Sequence, residues 1–162
     1  MAITPNDAFV AGQVLSSTEC NNWPRGVMAL ATSSTNYTLT TSDAVATGMT
    51  LSFTAEANRN YKITYIESGV NTPSVASGST TLRIRQSTSL GALGTQLGIG
   101  YIQTPSATLI IGSVICQAVV TYAAGIQYII GSAITSSTTG TPLLYRAAGA
   151  YSLLMVEDIG TA

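Results

Sequence analysis

GMTLSFTAEANRNYKITYIE (48–67) contains two runs of strict alternation joined by a polar turn, and that pattern sets the fold class. Met49, Leu51 and Phe53 alternate with Thr50, Ser52 and Thr54; Tyr61, Ile63 and Tyr65 alternate with Lys62, Thr64 and Ile66. Successive side chains of a strand point to opposite faces, so a period of two marks strands with one face toward a core. EANR (56–59) supplies the turn, and STTLRIRQ (79–86) repeats the alternation, with Leu82 and Ile84 against Arg83 and Arg85. Further strands are expected at 26–32, 37–40, 96–104, 107–112, 113–122, 126–134, 142–147 and 150–156. Gly112, Ala124-Gly125 and 136–142 would be turns or bulges. Short strands at this spacing predict an all-β antiparallel sandwich or barrel.

From 86 to 145 there is no Asp, Glu, Lys or Arg. The chain as a whole has 8% charged and 46% hydrophobic residues and a mean hydropathy of +0.34, against about 25% charged in an ordinary soluble domain. Within this run Ile110-Ile111, Val119-Val120 and Ile129-Ile130 place apolar groups on both faces of a strand, the pattern of strands covered on both sides. In a two-layer sandwich another subunit must supply the second cover. Interface candidates in and just after the run are Ile111, Val119, Tyr128, Ile129 and Arg146. Membrane insertion is a poor alternative, because a spanning helix needs about 20 mostly apolar residues and the best segment, 107–134, is broken by Ser113, Gln117, Thr121 and Gln127.

Six basic and seven acidic residues give a net charge of −1, which supplies no electrostatic footprint for nucleic acid or an anionic membrane. MAITPNDAFV has neither a basic n-region nor a continuous apolar h-region, so synthesis in a cytoplasm is expected. Cys20 and Cys116 read as free thiols. With no histidine in the chain, the commonest general base and transition-metal ligand are missing. A glycosidase needs two carboxyls about 5–10 Å apart, and Asp43, Glu56, Glu67, Glu157 and Asp158 read instead as solvated turn charges. Glu157 and Asp158, being neighbours, would point to opposite faces of a strand. No calcium-loop motif occurs. The reading is therefore a non-enzyme with no cofactor and no metal. The tyrosines could form a sugar platform, but packing with a wet hydroxyl accounts for most of them.

The first 25 residues depart from the strand pattern. Ser16 and Glu19 form a capping-box pair and Trp23-Pro24 stops what they begin, so 16–22 is expected to be one helical turn. Phe9, Val10, Val14, Leu15, Trp23 and Arg25 are the candidate contacts of an attachment arm (1–25) preceding a body (26–162).

The phrases FVAGQVLSSTECNNWPRGVMA (9–29), LSFTAEANRNYKITYIES (51–68), LRIRQ (82–86) and YSLLMVEDIG (151–160) resemble small virion proteins of tailed bacteriophages, of the head-decoration or fibre-tip kind. That resemblance implies a jelly roll of the tumour-necrosis-factor and complement-head type, a homotrimer, and a place on the virion surface. It also implies docking through the arm on the major capsid protein or a tail protein. A fibre or receptor-binding tip that recognises a host glycan is the rival reading; the chain has no heptads or repeats for a shaft.

Overall fold

The computed structural model describes residues 23–105, 107, 108, 110–147 and 152–162. Ten strands run in chain order: β1 (Gly26–Ser33), β2 (Tyr37–Thr38), β3 (Ala44–Ala55), β4 (Arg59–Asn71), β5 (Ser79–Ser87), β6 (Thr95–Gln103), β7 (Ile111–Thr121), β8 (Gly125–Thr135), β9 (Leu143–Leu144) and β10 (Ser152–Thr161). All pairings are antiparallel. One sheet sets β1, β10, β4 and β7 side by side; β9 meets β4 at Val70, on the side away from β7, and carries β2. The other has the order β3-β8-β5-β6. Two antiparallel sheets packed face to face with this crossed connectivity make a jelly-roll sandwich. The first strand among the described residues starts at Gly26, where the strand 26–32 is expected.

The alternating sets meet between the sheets. Met49, Leu51 and Phe53 of β3, Tyr61, Ile63 and Tyr65 of β4, and Leu82 and Ile84 of β5 are all buried, with Val114 and Cys116 of β7, Ile129 of β8, and Leu154 and Val156 of β10. Phe53, Tyr61 and Tyr122 cluster at one end of the layer with ring centroids 5.0–6.0 Å apart. Gly131 of β8 faces Tyr65, and a side chain there would lie 2.9 Å from Met49 and 3.1 Å from the tyrosine ring. The missing Cβ lets the ring lie flat against β8.

The structure redraws several elements. Residues 107–112 and 113–122 are not two strands; one strand, β7, runs through Gly112. The irregularity sits opposite, as a bulge in β4 between Glu67 and Val70, and the tip of the Ile102 side chain lies 2.6 Å from where a Cβ of Gly112 would stand. β3 begins at Ala44, before the alternation becomes regular, since a bulge between Val45 and Thr50 interrupts the register. The helical turn expected at 16–22 lies outside the described residues.

On one side of the sandwich the edge strands of the two sheets close on each other. A Cβ at Gly98 or Gly100 of β6 would come within 2.9 Å of the carbonyl oxygens of Gln117 and Ile115 in β7. Two glycines spaced by two thus allow backbone to pack on backbone between the layers. Gly98→Val and Gly100→Val should each cost about 1–3 kcal/mol by overpacking, read as a lower midpoint in thermal or urea unfolding; unchanged midpoints would mean that the seam is looser than described.

Candidate assembly surface

The strand registers place the outward side chains of the first sheet in rows across four strands. One row is Thr32–Leu153–Ile66–Ile115, the next Leu30–Met155–Thr64–Gln117, and the third Val27–Glu157–Lys62–Val119. Leu153, Met155 and Ile66 are half-buried; Leu30, Ile115 and Val119 are 55%, 59% and 62% exposed. Gln117 lies over the centre, donating from Nε2 to Thr64 Oγ1 at 3.3 Å. The charges in these rows are Lys62 and Glu157, 3.7 Å apart. Around the seam the apolar surface continues through Ile111 of β7 and through Ile99 and Tyr101 of β6, all more than half exposed. A sheet buried on its inner face and apolar on its outer face has two faces to cover.

The outward face of the second sheet is built differently. Asp43, just before β3, accepts from Arg83 Nη1 at 2.7 Å and from Arg85 Nη2; Arg85 Nε donates to Ser132 Oγ at 3.1 Å, and its Nη1 donates to the Gly94 carbonyl at 3.1 Å. Thr50, Ser52 and Thr54 line the same side on β3. This face is mixed, because Ile99 and Tyr101 of β6, opposite Arg83 and Thr81, and Ile126 of β8, opposite Thr54, stand on it more than half exposed.

Each of the six basic residues forms an ion pair: Arg25 with Glu56, Arg59 with Asp158, Lys62 with Glu157, Arg83 and Arg85 with Asp43, and Arg146 with Glu67. Two of these pairs lie in the interior, which corrects the expectation that Glu67 and Asp158 are solvated turn charges. Glu67 is fully buried and accepts four hydrogen bonds: from Arg146 Nε (3.1 Å) and Nη2 (2.5 Å), from Tyr65 Oη (2.5 Å), and from Ser152 Oγ. Arg146 Nη1 turns the other way, to the carbonyl of Thr47 at 2.7 Å. Gly48, at φ 77°, makes this geometry available by turning the β3 bulge inward. At the opposite end Arg59 holds both carboxylate oxygens of Asp158, while Glu157 next in sequence points outward.

Among the interface candidates, Ile111 and Val119 stand on the apolar surface, and Tyr128 is half-buried on the outward side of the second sheet. Ile129 and Arg146 are withdrawn. Ile129 packs in the core, and Arg146 is paired with Glu67, not with Glu157 or Asp158. The apolar patterns at 119–120 and 129–130 arise for different reasons: β7 leaves Val119 exposed, whereas in β8 both Ile129 and Ile130 are covered within the chain. Leu30, Ile66, Leu153 and Met155 are added, since they come to one face only through the pairing of β1, β10 and β4. Of the arm candidates, Trp23 and Arg25 lie at the entry to β1; Phe9, Val10, Val14 and Leu15 lie outside the described residues. Among the described residues no three His, Cys, Asp or Glu side chains come together as a metal site would require.

Burial moves several groups. Tyr65 is pushed well above the ordinary tyrosine value of 10.0 by burial and then by the neighbouring Glu67 carboxylate. Tyr122 is raised by burial, Tyr37 by burial and then by Asp43, and the Cys116 thiol by burial, which keeps it a poor nucleophile.

No protein-family model matches the chain, and no curated protein matches it. Among solved structures it is similar to the tumour-necrosis-factor protein Eiger from S. frugiperda, at 7% identity and a TM-score of 0.43, covering 84% of this chain and 95% of that one. The jelly-roll assignment stands on the strand topology itself.

Arg146→Ala should cost about 3–5 kcal/mol, because it leaves Glu67 charged and buried without its partner; Arg146→Met with Glu67→Met should recover part of that loss, and an unaffected single variant would show that Glu67 reaches water. The tyrosines set an alkaline limit. Their raised folded-state values stabilise the protein fully below pH 10, where the unfolded chain is also neutral, and that stability is lost above it. Unfolding free energy should hold to about pH 9 and then fall by up to about 1.4 kcal/mol per pH unit for each such tyrosine, as measured by urea titration across pH.

Proposed function

We propose that the protein is a structural component of a bacteriophage virion surface: a homotrimeric capsid-decoration or cement module that docks on the major capsid protein, or on a tail protein, through its N-terminal arm. The observation that carries the assembly half of this reading is the apolar outward surface of β1, β10, β4 and β7, whose charges in the rows are the single pair Lys62–Glu157. Association would cover this surface. Joining the β1–β10–β4–β7 face of one subunit to the β6 side of the next would be a head-to-tail contact, which makes a ring when the rotation between subunits closes. Phage identity and the trimer number rest on the likeness of the sequence phrases to small tailed-phage proteins.

With every basic residue already paired, the sandwich itself offers a partner apolar contact and hydrogen bonding more than positive charge. The role is passive: the chain clamps, and it turns nothing over. A second reading, a receptor-binding tip for a host glycan, draws on the far end of the sandwich. There the loops are tied together by Ser74 N to the Thr139 carbonyl (2.9 Å), Thr104 N to the Gly78 carbonyl (2.7 Å) and Leu39 N to the Pro142 carbonyl (3.0 Å), a rigid display of the kind recognition loops use.

Light scattering on the purified chain should give a trimer at micromolar concentration, and a stable monomer would overturn the assembly reading. Ile115→Lys with Val119→Lys should yield a folded monomer, since both residues are already exposed within one subunit. Ile129→Lys should prevent folding, because it buries an unpaired charge at a cost of several kcal/mol.

A further inference from the structure

β1 and β10 are antiparallel, with Gly26 opposite Asp158, so the chain enters the sandwich and leaves it at the same end. Arg59 dominates that end. Its Nε and Nη2 bind the two oxygens of Asp158, and Nη2 also donates to the carbonyl of Trp23 at 2.6 Å. Arg59 and Asp158 are almost wholly buried. Asp158 is held in turn by the backbone N–H of Gly160 at 2.9 Å, and the last residue is tied down by Ala162 N to the Asn58 carbonyl at 2.9 Å. The chain is therefore fixed at Trp23, with 22 residues preceding it. Trp23, the single tryptophan, is 41% exposed, beside the surface pair Arg25–Glu56.

We infer that this end of the sandwich, formed by 23–25, 56–59 and 158–162, is the surface turned toward the attachment partner, with Trp23 as its apolar anchor and Arg59 as the positioning residue that sets where the arm departs. The inference rests on the docking reading above and names its surface. The partner it fits is a protein with an apolar recess and no strong field of its own, because each charge at this end is already matched: Arg25 by Glu56 and Arg59 by Asp158. A half-exposed tryptophan rimmed by a charged pair has the form of an interface hot spot.

The experiment measures binding of the full-length chain to particles stripped of it, alongside acrylamide quenching of the tryptophan in the free protein. Trp23→Ala should weaken attachment by at least about tenfold, measured at a temperature where its melt shows it fully folded. Arg59→Lys keeps a charge beside Asp158 but loses the fork that reaches Trp23; it should weaken attachment while raising the quenching constant of Trp23, a change that a purely structural role elsewhere would not produce. Binding should change little between low and high salt. Thr138→Arg, in the exposed loop at the far end, should bind as the wild type does. Wild-type chain that fails to bind particles overturns the docking reading itself. Wild-type binding matched by both Trp23→Ala and Arg59→Lys overturns this inference alone, as does binding that Thr138→Arg abolishes or that collapses with salt.

Discussion

The interior ion pair of Arg146 and Glu67 is the constraint on which the rest of this sandwich hangs. A buried carboxylate without its counter-charge is costly, and a buried guanidinium has five N–H donors to place. Glu67 on β4 meets Arg146 after β9, Ser152 on β10 and Tyr65 on its own strand, while Nη1 of Arg146 reaches the β3 bulge at Thr47 and lies 3.3 Å from Ser33 Oγ at the end of β1. Strands from both sheets converge on one pair of charges. Alternative registers of β3 or β4 would leave those charges unsatisfied, so the pair specifies the arrangement even where its net contribution to stability is small.

The bulges and glycines follow from that constraint and from close packing. Gly48 lets β3 bend so that a carbonyl faces inward, and Gly131 gives Tyr65 the room to lie against β8 on its way to Glu67. Gly98 and Gly100 do something different, removing side chains from the meeting line of β6 and β7 so that the layers touch by backbone. The seam sets β6 beside β7, with Ile99 and Tyr101 on the outward face of the second sheet and Ile111, Ile115 and Val119 on that of the first.

Charge is used sparingly and locally. Five acidic residues absorb all six basic ones, two of the pairs in the interior. Long-range steering of a charged partner is left with little to work with.

The amino-acid sequence by itself determined the all-β class, the start of β1 at Gly26, the inward faces of β3, β4 and β5, and the shortage of charge. These are local properties: a period of two reports which side chains share a face, and composition reports how much apolar surface there is to cover. Tertiary structure alone decided which apolar residues stay exposed. Val119-Val120 and Ile129-Ile130 look alike in sequence, yet β7 is an edge strand and β8 lies inside its sheet. Leu30, Ile66, Leu153 and Met155 become one face only through pairing across distant strands. The same holds for the interior charges. Glu67 and Arg146 are 79 positions apart, and Arg59 and Asp158 are 99 apart; periodicity carries no information over such distances, because the partner of a buried charge is fixed by how the strands are ordered in the sheets.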